Sequence, residues 1–464
     1  MGEDCLVTDG MTRRELGRAA IVGAAFLGLG GFGTACGGRE SAGDILDGLP
    51  ESKVPRPVDY LRTNWSRDPL ARCSYSYLAA TPYGSGVRAM LAEPFERVAF
   101  AGEATSRIDP ATVHGAIEAG RTAAGRAVDE LPGGARVAVI GAGACGLACA
   151  GELTSAGLEP LLLESSDRVG GRVRSGELAG SDVELGASWI HGRQGNPLTG
   201  LAEENEVPIR DFHYQLDFPV PGQQRLAVEG ERRFRESIGA FDPGIPGARQ
   251  MTVDDLLPRR RGPGLDWTLQ FEIAQEYGAD PGQLAALATW EGGWFGGGDA
   301  LVGGPYTKLI EGLSRGSEIR HGFHVDRVSQ GAGRVTISAA GEDVEAEAAI
   351  VTVPIGVLKA GSIDFSPGLP DRITFAIRSL GAGLFDKLWL AFEEPFWDQE
   401  TEGFQWIDPA LPGRWGAWVN WVPVTGRPFL LTFTGGSDAR RIAGWEDREV
   451  LASAIGALDR IFAS

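Results

Sequence analysis

Arg136-Val-Ala-Val-Ile-Gly141-Ala-Gly143-Ala-Cys145-Gly146, running on to Leu161-Leu-Leu-Glu164, decides the fold. Val137 to Ile140 is an unbroken apolar run, as a strand buried on both faces requires. It enters Gly-x-Gly-x-x-Gly, which opens a helix of small residues, Leu147 to Ser155. A second strand, Pro160 to Leu163, ends on an acid. Gly141 makes the tight turn, Gly143 lets a pyrophosphate approach the backbone, and Gly146 lets helix and strand touch. The helix N-terminus faces the phosphates, and Glu164 is placed to accept from a ribose hydroxyl. The stretch predicts a dinucleotide site in an α/β domain. For the glycine run alone, the alternative is a plain βαβ packing unit.

At 464 residues the chain is long enough for two domains sharing a cofactor between them. A net charge of −19 argues against a nucleic-acid binder, which needs a basic face. It suits a cationic substrate drawn in by the field, and equally an acidic surface kept for solubility. The five cysteines, Cys5, Cys36, Cys73, Cys145 and Cys149, show neither a disulfide framework nor metal-ligand spacing, so no metal is expected. Of the five histidines, only His114 and His191 fall inside motifs.

After Glu164 come Arg168-Val-Gly170-Gly171-Arg172, an extension that a simple NAD domain does not need. It resembles the second fingerprint of the flavin amine oxidase family, where these residues follow the FAD pyrophosphate and ribityl chain. The alternative is a glycine-rich surface loop. Glu184-Leu-Gly186-Ala187-Ser188-Trp189-Ile190-His191-Gly192 is similar to the family's flavin-proximal loop. His191 is then either a substrate-side group or a structural histidine. Phe323-His-Val325 resembles the segment whose backbone, at Val325, pairs with adenine. In Leu384-Phe-Asp-Lys387-Leu-Trp the resemblance implies a lysine that holds a water against the flavin. The alternative is an edge-strand lysine facing solvent, since burying its charge is costly.

The order of motifs departs from the family. Asn64-Trp65, Ser74-Tyr75, Gly102-Glu103 and Thr112-Val113-His114 resemble the family's C-terminal part, above all that of polyamine oxidases and lysine-specific histone demethylases. Here they precede the fingerprint. The economical reading is a circular permutation, with Asp129 to Ala135 as the joint; its extended residues reach about 20 Å. The rival is that residues 51–130 complete a neighbouring subunit. The resemblance implies that Glu103 holds the ribityl chain and that the helix opened by Thr112-Val113 aims its N-terminus at the flavin. Tyr75 would wall the substrate slot, with Trp65 supporting it.

The expected fold class is α/β: a Rossmann-like FAD domain of the glutathione-reductase type with an α+β substrate domain, in permuted order. The expected segments are 1–36, signal; 37–50, flexible linker; 51–130, the displaced part of the FAD domain; 131–197, the Rossmann core; 198–305, a helical substrate domain; 306–360, the return to the FAD domain; and 361–464, substrate-domain sheet and helices. Arg13-Arg14 before the apolar run Ala19 to Phe32 reads as a twin-arginine export signal, and Cys36 as a lipid-attachment site. The alternative is an uncleaved N-terminal helix. The expected location is periplasmic, secreted or lipid-anchored.

The resemblance implies an FAD-dependent amine oxidase. It would oxidise a primary or secondary amine, polyamine-like first, to an imine with O2 as acceptor. Thr112 stands where monoamine oxidases carry a second slot tyrosine. Ser74, with Cys73 one residue early, stands where they tether the flavin, so FAD is expected to be non-covalent. The alternatives are an L-amino acid oxidase, for which no carboxylate-binding arginine stands out, and a flavin-binding protein without turnover. The sequence does not specify an oligomeric state.

Overall fold

The protein, seen as a computed structural model, is described over residues 41–293, 295–331 and 333–462. Arg13-Arg14, Cys36 and Trp294 lie outside the described residues. The apolar run does form the centre of a sheet. Five parallel strands lie in the order Glu318–Arg320, Glu159–Leu163, Arg136–Ile140, Ala348–Val351, Val98–Phe100. Side chains alternate across it: Val137 and Val139 join one apolar cluster, and Ala138 and Ile140 the other. The edge strand Val98–Phe100 comes from the segment before the fingerprint, and pairs with Ala348–Val351 of the same chain.

The helix Val113–Glu130 lies against the fingerprint helix Ala144–Ser155. A Cβ placed on Gly120 would fall 2.2 Å from the carbonyl oxygen of Cys145, so the two backbones touch there. Leu131–Ala135 then leads directly into Arg136–Ile140.

The sheet expected on the substrate side has six strands in the order Asp59–Arg62, Phe385–Ala391, Phe429–Gly435, Ala417–Asn420, Gly403–Gln405, Leu216–Asp217. All seven residues of Phe385–Ala391 and of Phe429–Gly435 are buried, so this sheet is covered on both faces. The helix Asp447–Phe462 closes it, and the Asp459 carboxylate accepts from the backbone N–H groups of Lys53 (2.8 Å) and Val54 (3.1 Å).

Two expectations are corrected. Residues 41–50 are not a flexible linker: Ser41 caps the helix Ala42–Asp47 in a reciprocal capping box with Asp44, and Leu46 and Leu49 are buried in the core beneath the substrate sheet. The segment 198–305 is not purely helical. It carries the strands Ile209–Phe212, Leu216–Asp217 and Asp299–Val302, which knit it to the two sheets. Its long helix, Gln223–Gly239, is followed by Pro263–Leu269, which passes without a break into six residues of π-helix, Gln270–Gln275.

Candidate active site

The two glycine runs meet. Gly170 N–H donates to the carbonyl of Ala142 at 2.8 Å, and a Cβ on Gly171 would lie 3.3 Å from Gly143 Cα. Gly146 has no room for a side chain, since a Cβ there would sit 1.9 Å from the Gly141 carbonyl oxygen. The fingerprint helix has no side-chain cap, which leaves its first N–H groups for a phosphate. The buried Glu164 carboxylate accepts from Ala142 N–H (2.8 Å) and Ser166 N–H (2.9 Å), which fixes it at the end of its strand. Buried Val325 has no backbone hydrogen-bond partner among the described residues, as a segment that pairs with adenine requires.

Glu103 gathers the displaced segment around the second glycine run. Its carboxylate accepts from Ser76 N–H (3.1 Å), Ser76 Oγ (2.7 Å), Ala111 N–H (3.0 Å) and Arg172 Nη1 (3.0 Å). Burial alone would raise its pKa, but Arg172, the Ser76 hydroxyl and Arg88 outweigh this and hold it low. Arg172 also donates to the Ser74 carbonyl, while Arg168 folds back onto the carbonyls of Val169 and Gly171. Thr112 caps its helix through Gly115 N–H (3.0 Å), and Gly102 turns with φ 141°. These residues fit a bound dinucleotide: two touching glycine turns, an uncapped helix end, a held carboxylate and an unpaired buried backbone segment.

Lys387 is 2 % exposed, so it is not a solvent-facing edge lysine. Its ammonium donates to the carbonyls of Glu184 (3.0 Å) and Gly186 (2.5 Å) and to the Ser188 hydroxyl, and lies 5.8 Å from the Trp189 ring centre. Burial pushes Lys387 down and Glu184 up, each toward its neutral form. Ala187 and Trp189 of the same loop are buried with it. Beside the loop, Phe385 stacks on Phe433 at 5.0 Å, and Tyr75 meets Phe385 at 6.5 Å. The Tyr75 hydroxyl donates to the Gln275 carbonyl at 2.7 Å.

Trp65 acts from elsewhere. It clusters with Ala71, Leu384 and Ala439, and its backbone N–H donates to Asp386 Oδ1 (3.0 Å). Asp386 precedes Lys387 in the strand, so their side chains leave on opposite faces. Trp65 therefore secures the lysine strand from its far side, rather than standing behind Tyr75.

His191, with a side chain 24 % exposed, is held by Asp299, whose Oδ2 lies 2.8 Å from His191 Nδ1 and 2.8 Å from the Tyr214 hydroxyl. Gly192 N–H donates to Asp299 Oδ1. Burial would raise the Asp299 pKa, but His191, Tyr214 and Gly192 together lower it. The sequence reading did not single out Asp299, Tyr214, Gln275 or Asp386. Only Asp386, an acid beside a lysine in an apolar strand, carried a local signal.

A nucleotide cradle joined to a buried lysine and an aromatic wall defines a flavoprotein oxidoreductase. Residues 43–128, 144–276 and 271–464 match the model of the flavin containing amine oxidoreductases, and the chain belongs to that family. Its cofactor is FAD. The chain is 30% identical over 357 residues to polyamine oxidase 2 of Arabidopsis thaliana, covering 70% of this chain and 72% of that one. It is 29% identical over 354 residues to the Arabidopsis lysine-specific histone demethylase 1 homolog 2, covering 70% of this chain and 47% of that one. It thus spans about half the length of that demethylase homologue. Among solved structures, putrescine oxidase bound to putrescine matches with a TM-score of 0.53 at 22% identity, covering 71% of this chain and 81% of that one. At that identity the match speaks to fold alone.

Proposed function

We propose that this protein oxidises a polyamine or other small primary or secondary amine to an imine, with dioxygen as the final electron acceptor. The observation that carries the reading is Lys387, buried against the carbonyls of the flavin-proximal loop beside Tyr75, Phe385 and Phe433. Bound FAD supplies the two-electron acceptor. The protein's own work is to hold the substrate carbon in line, exclude water, and receive the proton that an ammonium must lose first. We assign that proton to His191, whose partial exposure and hold by Asp299 support the role. The amine carbon gives up two electrons and one proton as a hydride equivalent, and the resulting imine is hydrolysed by water to aldehyde and amine. Dioxygen takes up the two electrons with two protons, giving hydrogen peroxide.

The similarity to polyamine oxidases supports this substrate class. Anaerobic mixing with spermine tests it: the oxidised-flavin absorbance should disappear, and return with stoichiometric peroxide on admitting air. A flavin band that persists with spermine, putrescine and monoamines alike overturns the reading.

We read the motif order as a circular permutation of the family order. Supporting it, Asp459 holds Lys53 and Val54, so the final described helix and the segment leading to Trp65 adjoin as consecutive elements would. A flavin-loaded monomer in a size measurement eliminates the subunit-completing rival. We also propose export by the twin-arginine route, tested by finding the flavoprotein outside the cytoplasmic fraction and losing it there when Arg13 and Arg14 become lysines.

A further inference from the structure

Among the described residues, Gln275 stands out as a side chain with two buried polar atoms, neither of them paired. It is 0 % exposed, and neither its amide oxygen nor its amide nitrogen has a partner among the described residues. Leaving a buried polar group unpaired is destabilising, so native proteins keep few such groups without a use for them. Its position sharpens the point. Gln275 ends the π-helix Gln270–Gln275, a winding that is rare and recurs at functional sites. Its carbonyl receives the Tyr75 hydroxyl at 2.7 Å.

The same turn presses on the substrate sheet. A Cβ on Gly435 would meet Ala274 O at 2.1 Å and Gln275 N at 2.8 Å. Gly435 pairs with Phe385, two residues before Lys387 in the strand. The carboxamide therefore belongs to the turn that joins Tyr75 to the Phe385 end of the lysine strand. Tyr75, Phe385 and Phe433 pack together at that end, and the Tyr75 hydroxyl is committed to the Gln275 backbone carbonyl.

We propose that the Gln275 side chain is a substrate ligand whose amide oxygen accepts an N–H of the reacting amine. This rests on the amine-oxidase reading and specifies its recognition. The chemistry suits the step. Oxidation needs the neutral amine, and an uncharged carboxamide takes a neutral N–H without favouring the ammonium, as a carboxylate would. It is also a polar group that an amine can satisfy and a hydrocarbon cannot, which gives the slot its selectivity.

The test uses flavin-loaded Gln275→Leu and Gln275→Glu beside the unaltered protein, titrated anaerobically with spermine and putrescine. Gln275→Leu should raise the amine concentration for half-maximal flavin reduction about tenfold. Its unliganded thermal midpoint should hold or rise, because an unpaired buried amide has been removed. Gln275→Glu should move the pH dependence of reduction to lower pH for binding and to higher pH for turnover, the mark of a stabilised ammonium. Half-saturation unchanged in Gln275→Leu, or a lowered midpoint in its unliganded form, assigns the amide to the scaffold and overturns the proposal. If Gln275→Leu does not load flavin, an unmoved pH profile in Gln275→Glu overturns it equally. Failure of the unaltered protein to be reduced by any amine removes the underlying reading, and the proposal with it.

Discussion

Lys387 and Gly186 stand 201 residues apart in sequence and 2.5 Å apart in space, ammonium nitrogen to carbonyl oxygen. The contact ties the substrate sheet to the flavin-proximal loop, so a change at the lysine acts on both. Lys387→Met keeps the length and removes the charge. We expect it to bind FAD and to lose about a hundredfold in flavin reduction or reoxidation, the scale on which small misplacements act. Rapid-mixing absorbance separates the two half-reactions. Unchanged rates in both would remove the lysine from the mechanism.

Asp299 faces His191 and Tyr214 with the same oxygen. Asp299→Asn replaces one carboxylate oxygen by an NH2 donor, so either His191 and Tyr214 together or the Gly192 N–H lose their acceptor. The histidine is then held in the wrong tautomer or released. The expected outcome is a fall in kcat/KM of about ten- to a hundredfold with flavin content unchanged. Steady-state peroxide production measures it.

Asp386 is buried behind the lysine, with Oδ1 committed to the Trp65 backbone N–H and Thr63 Oγ and Oδ2 without a partner among the described residues. A cavity of about 10 Å³ lined by Thr63, Asp386 and Thr434 has room for about one water. Burial pushes this carboxyl up to about 6. The unfolded chain titrates near 3.9, so between about pH 4 and pH 6 the folded state keeps a proton that the unfolded state has lost. Stability from this group therefore falls as pH rises through that window and stays lower above it. Asp386→Asn should abolish the fall, gaining up to about 3 kcal/mol at pH 7 relative to pH 4. Thermal midpoints of both proteins at the two pH values decide it.

Cys73 lies one residue before Ser74 and is fully buried, its thiol pushed up to about 11 by burial. A thiol so far from ionisation is a poor nucleophile. Acid precipitation should leave all the flavin in the supernatant. Flavin in the pellet would mean a covalent link at another residue.

What the sequence made legible was local. Val137–Ile140 and the glycines after it specify strand, turn and helix within a few residues of one another, and the sheet formed as their pattern required. Lys387 was legible because seven consecutive residues around it are apolar but for an acid and a base. Asp299 was not, because its partners His191 and Tyr214 reach it only through tertiary pairing of Asp299–Val302 with Trp189–Ile190 and Ile209–Phe212. The helix Ala42–Asp47 was read as a linker because its small and acidic residues suit either state. Leu46 in the helix and Leu49 just after it, both buried in the same apolar core, decide the matter.

The far face of the lysine strand is completed by Thr63, whose hydroxyl bonds Asp386 at 2.8 Å across 323 residues of chain. A ribosome adding about 5–20 residues per second leaves Thr63 waiting roughly 20–60 s for that partner. During nascent growth the first-made edge strand, Asp59–Arg62, has no sheet to join. The lysine's surroundings therefore form only after Phe385–Ala391 has been made, and newly made chains depend on that early segment staying unaggregated until its partner arrives.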